Sequence, residues 1–114
     1  MEKDVTVGLD VHARKTAYVM QDETGAVLSR GELATTEAAF EAWVRAKSVP
    51  DGTRVGLESG TQAFLVARWL RGLGLEPRVI DAHEVRCKTH RKSQKSDSRD
   101  AFEICDGLRR DIYR

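Results

Sequence analysis

Alternating apolar and polar positions at the start of the chain predict a β-strand. Over residues 5–10 every second side chain is Val or Leu, so one face of the strand is apolar and the other carries Thr, Gly and Asp. Short apolar or β-branched runs of the same kind follow at residues 16–20, 26–33, 54–58 and 77–80. The links between the first three strands are short, which favours an antiparallel meander.

Apolar residues recur at helical spacing between the later strands. Thr35 or Thr36 can cap a first helix that carries Phe40, Trp43 and Val44, and both Trp residues of the chain are predicted to be core or interface residues. A second helix carries the apolar residues Phe64, Val66, Ala67, Leu70 and Leu73. A short helix is predicted to begin at Ala82. A last helix carries the apolar residues Phe102, Ile104, Cys105, Leu108 and Ile112.

The predicted order is β-β-β-α-β-α-β-α followed by the last helix. Helices that alternate with the later strands indicate right-handed crossovers and a parallel portion of the sheet. We therefore predict an α/β fold with a mixed five-stranded sheet. Strands 1–3 are antiparallel, strands 4 and 5 run parallel to strand 1, and helices cover both faces.

The length and charge of the chain add two expectations. A chain of 114 residues is the size of one domain, so residues 1–114 are predicted to fold as one unit. The net charge is +1, but residues 83–114 hold nine Lys/Arg against six Asp/Glu, which is mild support for a polyanionic partner. With two cysteines, no signal peptide and no apolar run of membrane length, we expect a cytoplasmic protein with reduced thiols.

Two predicted strands end in the same way. Residues 7–10 are Val-Gly-Leu-Asp and residues 55–58 are Val-Gly-Leu-Glu. If the two strands are parallel neighbours, Asp10 and Glu58 emerge together at the carboxyl edge of the sheet, where ligands bind in open α/β sheets.

Two more acids open the last helix. Asp97 and Asp100 are three residues apart, so their side chains are neighbours on one helix face. If that helix packs on the sheet, it can bring both acids to Asp10 and Glu58. A cluster of carboxylates suits Mg²⁺ or Mn²⁺, and two such ions can stabilise the attacking and leaving oxygens of a phosphodiester.

A basic segment leads directly into the last helix. Its cationic residues are Arg86, Lys88, Arg91, Lys92 and Lys95. Because they adjoin the predicted acid site, we expect them to bind nucleic-acid phosphates. His12 could reach a phosphate from the strand face of Asp10, but a solvated hairpin histidine is the simpler interpretation.

Three motifs together resemble a known family. They are Gly-Leu-Asp-Val-His at residues 8–12, Leu-Glu-Ser-Gly at residues 57–60 and Lys-Ser-Asp-Ser-Arg-Asp-Ala at residues 95–101. The order of the acids is similar to that of the RuvC-resolvase version of the RNase H-like fold. More closely, the motifs resemble the DEDD transposases, insertion-sequence enzymes of the IS-one-ten group related to the Piv and MooV invertases.

The resemblance implies a site, a cofactor and partners. The family's four metal-binding acids, which also serve as its catalytic residues, carry over to Asp10, Glu58, Asp97 and Asp100. The implied cofactor is Mg²⁺ or Mn²⁺, and the implied partners are DNA, a structured guide RNA and further copies of the full-length protein. The family's serine-bearing C-terminal domain is absent from these 114 residues, so we expect the isolated chain to be inactive in complete strand exchange.

Two other functions stay open. A phosphotransferase of the actin and sugar-kinase type also begins with an Asp in a strand–turn–strand unit, but it uses a glycine-rich hairpin. Residues 11–14 contain no Gly, and the chain is short for two such lobes. A non-catalytic nucleic-acid-binding or assembly module is the other alternative. Calorimetry with ATP would test the phosphotransferase.

Overall fold

The strands and helices follow the predicted order. The computed structural model describes residues 4–81 and 97–113, without the side chains of residues 97–99. The strands within these residues are β1 (Val5–Val11), β2 (Lys15–Asp22), β3 (Val27–Ala34), β4 (Arg54–Glu58) and β5 (Glu76–Ile80). The helices are α1 (Glu37–Ala46), α2 (Ala63–Gly72) and α3 (Asp97–Arg109). The short helix predicted from Ala82 lies outside the described residues.

The sheet has the strand order β3-β2-β1-β4-β5. β1 pairs antiparallel with β2, and β2 pairs antiparallel with β3. On its other side β1 pairs parallel with β4, and β4 pairs parallel with β5. This arrangement confirms the predicted mixed sheet and leaves β1 at its centre. No helix in the described part of the chain is long and apolar enough to cross a membrane.

The main core lies between the sheet and the helices α1 and α2. Its fully buried members include Val7, Leu9, Val55 and Leu57 from the strands and Phe40, Val66 and Leu70 from the helices. Trp43 is buried in the same cluster, as its helical spacing predicted. Thr36 caps α1, because its Oγ1 accepts a hydrogen bond of 3.1 Å from the backbone N–H of Ala39.

α3 covers the opposite face of the sheet and approaches it at two paired glycines. Gly8 of β1 lies directly opposite Gly56 of β4 in the parallel register. A Cβ added at Gly8 would lie less than 3.0 Å from backbone atoms of Ala101 and Cys105. The Cys105 thiol donates a hydrogen bond of 3.1 Å to the carbonyl oxygen of Thr6. The glycines therefore let the helix backbone rest on the strands.

The end of α3 is fixed by the residues that follow it. Asp111 takes a left-handed conformation with φ of 59°, and the amide of Ile112 donates to the carbonyl of Gly107, which together close the helix with a Schellman motif. The ring of Tyr113 is buried against Gly107. Arg78 of β5 donates a hydrogen bond of 2.7 Å to the carbonyl oxygen of Tyr113, which ties this end of α3 to the sheet.

A polar cluster joins α3 to β2 near that same end. Gln21 is fully buried, and its Nε2 donates to Asp106 Oδ1 at 3.2 Å. Arg109 donates to the same oxygen at 2.9 Å. Burial raises the pKa of Asp106, but the bonds from Arg109 and Gln21 outweigh it, so the pKa is below its usual value.

We expect Asp106→Asn to lower the free energy of unfolding by roughly 1–2 kcal/mol at pH 7, because a charged hydrogen-bond acceptor is lost. A lowered folded-state pKa stabilises the protein above the unfolded value, near 4, and this contribution disappears as the pH falls through the folded value. The difference between variant and wild type in urea unfolding should therefore shrink below about pH 4. Asp111→Asn is the matched control, because Asp111 is exposed and Asn tolerates its left-handed backbone. A difference independent of pH would contradict the assignment.

Candidate active site

The ends of β1 and β4 place two acids side by side. Leu9 pairs with Leu57 in the parallel register, and Asp10 and Glu58 are the next residue of each strand. Since side chains alternate along a strand, Asp10 lies on the face of Gly8 and Glu58 on the face of Gly56, which is the face that α3 covers. Neighbouring strands lie about 4.8 Å apart, so the two acids leave the sheet as neighbours.

α3 brings a third acid to the same place. Asp100 lies one position before Ala101, whose carbonyl rests against Gly8. Asp100 itself is 6% exposed. Asp100 and Ile104 are one helical turn apart, and Ile104 is fully buried against the sheet. The packing of α3 on the glycines therefore turns Asp100 towards the carboxyl edge of the strands.

Asp10, Glu58 and Asp100 line one open cleft of about 520 Å³. Its other walls are the β1–β2 hairpin and the loop from β4 into α2. The lining residues from these two segments are Val11, His12, Ala13, Ser59, Gly60, Thr61, Gln62 and Ala63. Three acids from three separate elements thus face one space that is open to solvent.

His12 contacts the most central of these acids. Its Nε2 lies 3.0 Å from Oδ2 of Asp10, whose side chain is buried, while about half of the His12 side chain is exposed. An ionised carboxylate only accepts hydrogen bonds, so His12 Nε2 is the donor of this contact whenever Asp10 is ionised. The backbone of His12 is also held, because its carbonyl oxygen accepts a hydrogen bond of 2.7 Å from Thr35. His12 is therefore a half-exposed hairpin residue, as predicted, whose ring also contacts Asp10.

Two hydroxyl residues of the loop from β4 into α2 also line the cleft. Their types, Ser59 and Thr61, predict cap or turn residues, and both lie in the turn before α2. The cap position of α2 itself is held by Gln62, whose side chain makes no capping hydrogen bond. The signal in the sequence was the place of this turn after Glu58, an acid at a strand end.

The other predicted site residues are only partly described. The backbone of Asp97 forms the first residue of α3, but its side chain is not described. The predicted phosphate-binding residues Arg86, Lys88, Arg91, Lys92 and Lys95 all lie outside the described residues. Within residues 4–81 and 97–113, no group of three or more His, Cys, Asp or Glu side chains is arranged to hold a metal ion.

The donor atoms of the cleft nevertheless fit a hard divalent cation. All three described acids offer carboxylate oxygens, which suit Mg²⁺ or Mn²⁺ and do not suit softer metals. The amino-terminal ends of α2 and α3 both meet the cleft. Helix amino termini carry partial positive charge, which offsets some of the repulsion between the acids.

A family profile described as transposase, that of the DEDD transposases of the IS110 group, matches residues 7–114. The chain belongs to this DEDD transposase family. The match includes the segments of all four predicted acids and confirms the resemblance found in the motifs. No curated protein sequence matches the transposase chain significantly.

Solved structures similar to this transposase chain include two resolvases. T. thermophilus RuvC in complex with a Holliday junction substrate has a TM-score of 0.59 at 11% identity, with 97% of this chain and 98% of that chain covered. The Fowlpox virus resolvase in complex with Holliday junction DNA has a TM-score of 0.59 at 11% identity, with 95% and 98% covered. These similarities confirm the RuvC-like version of the RNase H-like fold.

A kinase structure shares part of the fold. The ROK family glucokinase from Streptomyces griseus, in complex with glucose and AMPPNP, has a TM-score of 0.51 at 21% identity. The alignment covers 73% of the transposase chain but 35% of the glucokinase, so this chain spans about a third of that protein.

Proposed function

We propose that this chain is a metal-dependent DNA cleavage domain that acts in transposition. The observation that supports this function is the convergence of Asp10, Glu58 and Asp100 in one cleft at the carboxyl edge of the sheet. Membership of a transposase family makes DNA the expected substrate. We include Asp97 as the fourth acid because it lies one helical turn before Asp100.

The four acids would hold Mg²⁺ or Mn²⁺ at the carboxyl edge. When bound, a divalent cation of this kind supplies charge stabilisation for a phosphodiester and lowers the pKa of water. The acids come from three elements, so an ion and a phosphate would also hold those elements together.

The remaining cleft residues would prepare the site for a phosphate. The hydrogen bond from His12 fixes the orientation of the Asp10 carboxylate, so less rotational freedom is lost when Asp10 binds an ion. The side chain of Gln62 makes no capping hydrogen bond to the first backbone N–H groups of α2. Helix amino termini readily bind phosphate oxygens. Ser59 and Thr61 add hydroxyl donors to the same wall.

Further partners belong to the proposal as well. The basic residues from Arg86 to Lys95 would position the DNA backbone without reading its sequence. A guide RNA and assembly of the full-length protein follow the family resemblance. Complete strand exchange would also need the serine-bearing domain that the family resemblance implies.

A phosphotransferase is the second candidate, because part of the glucokinase fold is shared. The described β1–β2 hairpin, residues 12–14, consists of His, Ala and Arg, so it lacks the glycines that let a hairpin backbone wrap nucleotide phosphates. Saturable ATP binding in calorimetry, together with no response to DNA, would favour this candidate.

The metal site is tested by thermal unfolding. Mg²⁺ or Mn²⁺ that binds only the folded protein stabilises it by about 2.7 kcal/mol at a hundredfold excess over the dissociation constant. For a domain of this size that raises the melting temperature by roughly 10 °C. We expect Asp100→Asn and Glu58→Gln to remove most of this shift, because each takes a negative oxygen away from the site.

Two further variants sharpen the result. Asp111→Asn removes an exposed acid beyond the opposite end of α3, and it should keep the full metal shift. Asp97→Asn decides whether the fourth acid belongs to the site. If metal raises the melting temperature of Asp100→Asn and Asp111→Asn equally, the acids do not bind a common ion and the proposal fails.

A further inference from the structure

The outer face of α2 presents an unusual side chain next to the acid cleft. Phe64 is 69% exposed, more than any other large hydrophobic residue in the described part of the chain. It directly follows Ala63, which lines the cleft, and Leu65 beside it is 41% exposed. Leaving a phenyl ring in water forgoes roughly 1.5–3 kcal/mol of burial, so such a ring marks a place where a partner can cover it.

The same face continues with positive charge. Arg68 and Arg71 are four and seven residues after Phe64, so the three side chains lie along one stripe of the helix, and both arginines are exposed. Residues 63–72 contain no Asp or Glu. The stripe therefore runs from the cleft outwards as an aromatic ring followed by two cations.

We propose that this stripe binds a single DNA strand that leaves the acid cleft. Phe64 would stack on one unpaired base, and Arg68 and Arg71 would hold the phosphates that follow it. The inference deepens the proposed function, since it takes the strand in the cleft to be the cleaved DNA. It assigns contact residues that differ from those of the basic segment before α3.

The geometry of the stripe fits a strand rather than a duplex. A rise of 1.5 Å per residue puts Arg71 about 10.5 Å along the helix from Phe64, which is the length of about three stacked nucleotides. The faces of bases within a duplex are already covered by their neighbours, so the ring can stack only on an unpaired base. Phenyl rings have no hydrogen-bonding groups, so we expect little sequence preference.

The charge of the stripe argues against a second copy of the chain as its occupant. Two copies that met through this face across a two-fold axis would bring four guanidinium groups together without an acid from α2 between them. Like charges in such a contact are unfavourable, whereas a phosphate backbone offers the opposite charge. The stripe is complementary to a polyanion.

Binding is measured with a fluorescein-labelled 20-nucleotide oligo-dT in chelator, so that no cleavage occurs. Stacking of one base on an aromatic ring predicts that Phe64→Ala and Phe64→Leu weaken binding by roughly 5- to 100-fold, while Phe64→Tyr stays near wild type. Changing Arg68 and Arg71 together to Ala should reduce the log–log salt slope by about 1.4, from about 0.7 for each phosphate contact on a single strand.

Leu65→Ala and Arg54→Ala are the matched controls. Leu65 is an exposed apolar neighbour of Phe64, and the exposed Arg54 begins β4 at the end of the strand away from Glu58. Both should bind oligo-dT within about twofold of wild type. If Phe64→Leu binds like wild type, or Leu65→Ala loses as much affinity as Phe64→Ala, stacking is excluded.

Two more outcomes would overturn the assignment of the partner. In one, sedimentation shows self-association that Phe64→Ala abolishes while oligo-dT binding is unchanged, so the face joins two copies of the chain. In the other, Phe64→Ala weakens binding of a 20-nucleotide RNA but not of oligo-dT, so the bound strand is RNA.

The two proposals can fail separately. If DNA nicking depends on Asp10 but the affinity for oligo-dT does not change in the Phe64 variants, this inference fails and the proposed function stands. If binding depends on Phe64 but no acid affects nicking or metal stabilisation, the stripe stands and the proposed function fails.

Discussion

Gly8→Ala should lower the melting temperature by about 10 °C or more, or prevent α3 from packing on the sheet. The added methyl would lie less than 3.0 Å from backbone atoms of Ala101 and Cys105, and backbone cannot move aside as a flexible side chain can. Overpacking costs typically 1–3 kcal/mol, and contact with rigid backbone belongs at the upper end of that range. For a domain of this length the expected loss is a large part of its stability.

The consequence reaches the site, because the same contact positions Asp100. If α3 is lifted from β1, the third acid leaves the cleft, so the metal-induced rise in melting temperature should disappear together with the stability. The experiment is thermal unfolding by circular dichroism with chelator and with Mg²⁺. If α3 no longer packs on the sheet, both the stability and the metal-induced shift are lost. If the change is confined to β1, the stability falls but the metal-induced shift remains.

Two glycine variants serve as controls. At Gly56 the nearest atoms are side-chain methyls of Ile104 and Leu108 at 3.1 Å, which can shift, so Gly56→Ala should cost clearly less. Gly72 ends α2 with no atom within 4 Å of an added Cβ, so Gly72→Ala should be neutral or slightly stabilising. If Gly8→Ala melts like Gly72→Ala, α3 does not rest on β1 as described.

Asp10→Asn should reduce metal-dependent nicking of supercoiled DNA by at least about 100-fold, the usual effect of removing one strong electrostatic contact from an active site. Asp10 lies at the end of the central strand, is 8% exposed, and is the acid that His12 contacts. Asn keeps the size of the side chain and can still accept the hydrogen bond from His12, so the variant removes charge rather than structure. Conversion of plasmid to the open-circular form with Mn²⁺ is the measurement.

Nicking by the wild-type chain is expected to be slow, since the family resemblance assigns strand exchange to a second domain. Asp111→Asn is again the control and should nick at the wild-type rate. The melting temperature of Asp10→Asn in chelator shows whether the variant is folded. Equal nicking by folded Asp10→Asn and by wild type would exclude Asp10 from the reaction and remove the central acid from the proposed site.

The sequence alone predicted the sheet because its signals are local. Period-two alternation marks β1, and helical spacing together with Thr36 marks α1. The alternation of helices with the later strands then selects parallel neighbours. Two strands that end in Gly-Leu-acid already indicated that Asp10 and Glu58 share an edge, because strand register follows from that topology.

Only the tertiary structure decided which residues join those acids and why. The hydrogen bond between His12 and Asp10 depends on the path of the hairpin, which Thr35, 23 residues away, helps to hold. Gly8 and Gly56 form the surface on which α3 packs, and this depends on contacts with residues about 50 to 100 positions distant in the chain. Contacts between residues so far apart in the sequence produce no local periodicity, so no pattern in the sequence predicts them. The sequence determined where each acid lies along its own element, and packing determined that three of them meet.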